Sequence, residues 1–103
     1  MSDTIVSTAS VATERGARYG KQLVSHLGRK SVGVWDEASG SGTLDMGDSA
    51  AHVTLKSTTD ALVITVEAAD TDVAAYQDIV GRRLERFGER DGLKVHWVRS
   101  EAK

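Results

Sequence analysis

Ala51-His52-Val53-Thr54-Leu55-Lys56-Ser57 is followed, after Thr58-Thr59-Asp60, by Ala61-Leu62-Val63-Ile64-Thr65-Val66-Glu67-Ala68. In the first run Ala51, Val53 and Leu55 share one side while His52, Thr54 and Lys56 share the other, the period-two signature of a half-buried strand. The second run supplies a matching inward row in Leu62, Ile64 and Val66. Three turn-forming residues are too few for the crossover that parallel pairing requires, so the two strands form an antiparallel hairpin.

Working outward, Ser31–Asp36 and Thr43–Met46 also read as strands, joined by the small-residue turn Ala38-Ser39-Gly40-Ser41-Gly42. A second turn is expected at Gly47-Asp48-Ser49. Leu93–Val98 reads as a last strand, with Leu93, Val95 and Trp97 inward, and Ile5–Val11 as a first strand whose alternation is blurred by Ser and Thr. Two segments have helical period. From Glu14 to Gly28, with Thr13 as N-cap and Gly28 as C′ residue, Gly16, Gly20, Leu23, Val24 and Leu27 fall opposite Arg15, Arg18, Gln22, His26 and Arg29. Glycines inside a helix cost roughly 0.8–1 kcal/mol each relative to alanine, so Gly16 and Gly20 suggest close approach to a sheet. From Thr71 to Arg90, with Asp70 as N-cap and Gly92 past the end, the core stripe is Val73, Tyr76, Val80, Leu84 and Phe87.

The order is therefore βαββββαβ. Both helices must bury an apolar stripe, and one face of the sheet is the only sufficient partner. The expectation is an α+β two-layer sandwich: a mainly antiparallel sheet with two helices on one face and the other face largely open.

The 103 residues suit a single domain over 1–103, with roughly 65% of the unfolded surface buried. No cysteine or proline is present, which excludes disulfides, thiolate metal sites and a cysteine nucleophile. Thirteen basic against fifteen acidic residues give a net charge of -2, too balanced for a strongly basic nucleic-acid or membrane-surface binder. Ala61–Ile64 is the longest apolar run, and Met1-Ser2-Asp3-Thr4 does not resemble a signal peptide. A soluble, cytoplasmic protein without membrane partners is expected.

Ala12-Thr13, Arg18-Tyr19, Gln22-Leu23 and His26, then Leu84-Glu85-Arg86-Phe87, Arg90, Leu93 and Trp97 resemble a small bacterial family, domain of unknown function 2218. Two positions depart from its pattern: Leu27 stands where an aromatic is usual, and Arg83 where the second helix often has histidine. A model with two helical histidines as ligands thus keeps only His26. The resemblance implies an α+β fold similar to the TATA-binding-protein-like domain at the C-terminus of phosphohexomutases. It also implies an accessory role near iron–siderophore uptake or reduction, with no cofactor and no mechanism attached.

The first helix's polar stripe is the leading candidate site: Arg18, Gln22 and His26, flanked by Arg15 and Arg29, with Tyr19 at its edge. Guanidiniums at this spacing repel one another unless an anion or acidic surface lies nearby, and their fork suits carboxylate or phosphate. A solvated helix face is the plain alternative. Arg82, Arg86 and Arg90 form a second line with Arg83 adjacent. Ordinary helix-surface pairs to Asp78, Glu85 and Glu89 explain most of them. Arg86 and Arg90 coincide with the family landmarks, and helices lying side by side would let both lines border one anion-binding groove.

His52 and His96 alternate outward and, on neighbouring strands, would offer two imidazoles to a transition metal or haem iron; exposed polar positions explain them more simply. Trp35 on the open face would join them and Val63 in a ligand platform, unless it lies partly buried under the glycine-rich turn. The acidic residues match turns rather than a calcium loop, and GxSxG, GxxxxGK[ST] and GxGxxG are all missing. The reading that results is a non-enzymatic accessory domain, binding a small anionic or iron-linked ligand or a protein partner. An enzyme with an unidentified site and a nucleic-acid module using the open sheet are the alternatives, the last disfavoured by five aromatics and the net charge.

Overall fold

The structure, a computed structural model, describes residues 4–27, 32–46 and 51–101. Its elements run β1 (Thr4–Ala12), α1 (Gly16–Leu27), β2 (Val32–Asp36), β3 (Ser41–Met46), β4 (Ala51–Ser57), β5 (Ala61–Ala69), α2 (Val73–Phe87), a 3-10 turn (Glu89–Asp91) and β6 (Val98–Glu101). This is the expected βαββββαβ order in a six-stranded sheet, β2-β3-β4-β5-β1-β6, with every neighbouring pair antiparallel. The meander over β2 to β5 follows from its short links. The expected turn at Gly47-Asp48-Ser49, the C′ residue Gly28 and the stripe member Arg29 lie outside the described residues.

β1 inserts between β5 and β6, paired with β5 along its whole length, from Thr4 opposite Ala69 to Ala12 opposite Ala61, and with β6 over Ile5 to Thr8. Its alternation is masked in the sequence because Ser7 takes an inward place, fully buried beside Ala9 and Val11. The inward rows of the sheet, Leu44, Val53, Leu55, Leu62, Ile64 and Val66, are all fully buried. They meet Leu23 and Val24 of α1 and Val73, Val80 and Leu84 of α2. Burying each such side chain contributes roughly 1.5–3 kcal/mol. On the opposite face the outward residues are half-buried or exposed, as a one-sided sheet requires.

Sequence expectations need correction at α2 and at the last strand. Helix α2 is shorter than Thr71–Arg90 at both ends. A tight turn from Asp72 N–H to the Ala69 carbonyl moves the N-cap from Asp70 to Asp72. At the other end the chain passes at Gly88 into the 3-10 turn, which Gly92 ends with φ +66°.

The last strand is Val98–Glu101, not Leu93–Val98. The alternation in 93–97 is genuine, with Leu93 buried and Val95 and Trp97 half-buried. It serves packing on α2, where Leu93 fills the space over Gly88 and Val95 and Trp97 lie over Gly81. The Val95 N–H donates to Glu85 Oε2 at 3.0 Å, so a helix carboxylate stands where a neighbouring strand would. Glu85 therefore clamps the chain instead of lacing the helix surface.

Of the two places open to Trp35, the exposed face is not the one taken: the ring is half-buried, against Gly42 of the glycine-rich turn. Trp35 pairs with Gly42, whose side is buried, and the indole lies between α1 and the sheet. The other parity of β2 faces solvent, leaving Val34 61% exposed. Glycine makes the space: a Cβ at Gly20 would lie 2.6 Å from the indole, and one at Gly42 would lie 2.6 Å from the ring and 2.7 Å from the Val34 carbonyl oxygen. Overpacking costs about 1–3 kcal/mol. At Gly20 a helix-propensity gain of about 0.8–1 kcal/mol offsets part of it. At Gly42 the obstacle includes backbone that cannot turn aside. Urea unfolding should therefore show Gly42→Ala as the more destabilising change, by about 2–3 kcal/mol against about 1 kcal/mol for Gly20→Ala.

Candidate functional site

Gly16, Tyr19, Gly20, Leu23 and Val24 are the buried residues of α1, which turns Arg18, Gln22 and Ser25 to solvent, with Arg15 exposed just before it. Thr13 is not the N-cap expected for a helix starting at Glu14: α1 starts at Gly16, and the Arg15 carbonyl accepts its first N–H, from Tyr19. Thr13 Oγ1 orders the turn before it by accepting from the Arg15 N–H at 3.0 Å. His26 is half-buried and sets its ring edge-on to Phe87 of α2, with centroids 5.6 Å apart and planes at 80°. The helices thus lie side by side where α2 ends.

Between them opens a groove of about 470 Å³ lined by Arg18, Lys21, Gln22, Ser25, His26 and Phe87. Three of the predicted residues, Arg18, Gln22 and His26, meet there. Among the described residues no carboxylate stands in this lining. Lys21 leans away to Glu37, whose carboxyl its ammonium holds below the usual range.

Tyr19 belongs to a different arrangement. Its ring is 7% exposed, and its hydroxyl donates to Asp91 in the 3-10 turn. Arg15 approaches the same carboxylate at 3.8 Å. Spacing in the sequence could not reveal this tie, because 72 residues separate Tyr19 from Asp91.

The second arginine line does not join the first groove, which takes Phe87 from α2 and none of its arginines. Arg86 lines a separate groove of about 360 Å³ with Asp78, Ile79, Arg82 and Arg83. There Arg82 pairs with Asp78 at 4.0 Å, as the four-residue spacing predicts. Arg90 lies exposed in the 3-10 turn.

His52 does face outward from β4, with Nδ1 2.6 Å from Asp45 Oδ1 on β3. His96 is on no strand, and β5 and β1 separate β4 from β6, so the two histidines do not form a pair on the open face. Among the described residues no group of three or more His, Cys, Asp or Glu is placed to hold a metal ion. No helix among them is long and apolar enough to cross a membrane.

The fold, a six-stranded antiparallel sheet backed by two helices, is of the α+β class. The chain belongs to the family described as uncharacterised proteins conserved in bacteria, DUF2218, whose sequence profile matches residues 8–98. The NMR structure of PA4090 from Pseudomonas aeruginosa is similar to it, with 28% identity, a TM-score of 0.69, and coverage of 91% of this chain and 95% of that one. No curated protein matches.

The hydrogen bond to Asp91, then burial and the charge of Asp91, push the ionisation of Tyr19 above the ordinary tyrosine value, while Arg15 and Arg18 pull it back. A group whose folded pKa is raised stabilises the fold below its unfolded pKa of about 10, and that stability is lost as pH rises through the folded value. Absorbance at the tyrosinate band should show one late-titrating tyrosine that disappears in Tyr19→Phe. At neutral pH the same variant should lose about 1 kcal/mol of unfolding free energy, the usual size for one hydrogen bond. That difference should shrink above about pH 10.

Proposed function

We propose that the protein is a non-enzymatic binding protein whose α1 groove takes a small anion bearing carboxylate or catecholate oxygens, in an accessory role in iron and siderophore utilisation. The groove lining carries this reading: Arg18, Gln22 and His26 line it with no acidic residue among them. Arg18 offers the planar fork that matches two ligand oxygens, and Gln22 adds an amide donor. Phe87 gives an apolar wall on which a flat ligand ring can rest. A general acid–base pair is not part of this arrangement, so retention rather than turnover is the chemistry it suits.

Calorimetric titration with citrate and with 2,3-dihydroxybenzoate, each free and as its ferric complex, tests the proposal. Binding by at least one of the four is expected, weakening as salt is raised. Arg18→Ala should reduce the affinity about 10-fold or more, as loss of a charge-assisted hydrogen bond does. Arg86→Ala, in the separate groove, should leave it unchanged. Absence of heat with all four ligands, or equal binding by Arg18→Ala, would overturn the assignment.

A further inference from the structure

The register places Val34, Thr43, Thr54, Thr65, Thr8 and Val98 side by side in one row across all six strands of the open face. The two valines, on the edge strands β2 and β6, are 61% and 72% exposed and are the most exposed large apolar residues described. On one side of the row lies Asp45-His52-Glu67, on the other Lys56 beside Val63. We infer that this face is the docking surface for a second copy of the chain, stacked sheet on sheet about a two-fold axis that runs along the valine–threonine row.

The composition of the row is what such an axis requires. Residues on a two-fold axis meet their own copies, so a charged residue there would face its like. This row contains none. A threonine hydroxyl both donates and accepts, so threonine facing threonine leaves neither oxygen unpaired, and valine facing valine buries the exposed methyls.

Off the axis, opposite charges must meet. Rotation about the row brings Lys56 of one copy over His52 of the other, between Asp45 and Glu67, and repeats the contact by symmetry. Rotation about the row also sets Glu67 over Val63, and the alternative axis, parallel to the strands, would set His52 over Glu67. Only the first axis, however, brings Lys56 beside an acid of the other copy, so Lys56 decides between them. The strands of the two sheets then run nearly aligned, the common mode of sheet stacking. Asp36 is already engaged within its own turn, by the Ala38 N–H and the Ser39 hydroxyl.

Six strands at about 4.8 Å spacing, with the central ones seven to nine residues long, give a face on the order of 600 Å². That is the lower end of the roughly 600–1,000 Å² per partner of a standard interface. The association should therefore depend on concentration.

Sedimentation from about 5 µM to about 500 µM should show the mass rising from 11.0 kDa toward twice that value by mass action. Thr54→Lys, which sets like charges face to face on the axis, should hold the protein monomeric, with circular dichroism confirming the fold. Lys56→Glu and Glu67→Lys should each weaken association, and an equimolar mixture of the two should recover it through the exchanged charges. A protein monomeric throughout, a dimer indifferent to Thr54→Lys, or a mixture that stays monomeric would each overturn the inference.

Discussion

The nine-residue antiparallel pairing of β1 with β5 joins the start of the chain to the last strand of the meander. β1 in turn carries β6 on its far side, so the sheet reaches six strands only because this one ladder forms. The helices depend on it as well. α1 leaves the end of β1 and runs over β2 to β5, while α2 leaves the end of β5 and covers β5 and β1. The groove at Arg18, His26 and Phe87 exists because those two departures lay the helices beside one another.

What was legible in the sequence was whatever depends on local period. Ala51–Ser57 and Ala61–Ala69 alternate so cleanly that only an antiparallel hairpin with one buried face satisfies them, and the rest of the meander follows from link length. The stripe of α1 was legible for the same reason, and it placed Arg18, Gln22 and His26 on one exposed side. Where local period is shared by two structures, the reading failed. Leu93, Val95 and Trp97 alternate as a strand would, yet they pack on the glycines of α2, and the Glu85 carboxylate takes the backbone N–H that a strand partner would have used.

Parity alone leaves β2 undecided. Val34 and Trp35 are both apolar, and nothing in their own segment says which points inward. The deciding signal lay elsewhere, in Gly20 and Gly42, whose missing side chains make room for an indole. With Trp35 under α1, the open face among the described residues presents threonine, valine and scattered charge, with His52 on β4 as its aromatic ring. Tyr19 shows the other limit. Its role is set by Asp91, a partner far along the chain, and its ring is turned into the core rather than toward the groove.

The serine and threonine of β1 that obscured its alternation have a consequence for how the chain is made. β1 precedes both its partners, β5 and β6, and α1 intervenes before any strand of the meander appears. While the later strands are synthesised, β1 has no neighbour of its own and displays unpaired backbone groups on both edges. A run of valine and isoleucine in that position would be prone to join with a strand from another nascent chain. Ser7, Thr8 and Ser10, set between Ile5, Val6 and Val11, keep the waiting segment well hydrated. The buried Ser7 oxygen has no hydrogen-bond partner among the described residues, so the serine that keeps the waiting strand hydrated carries a cost in packing once the sheet closes.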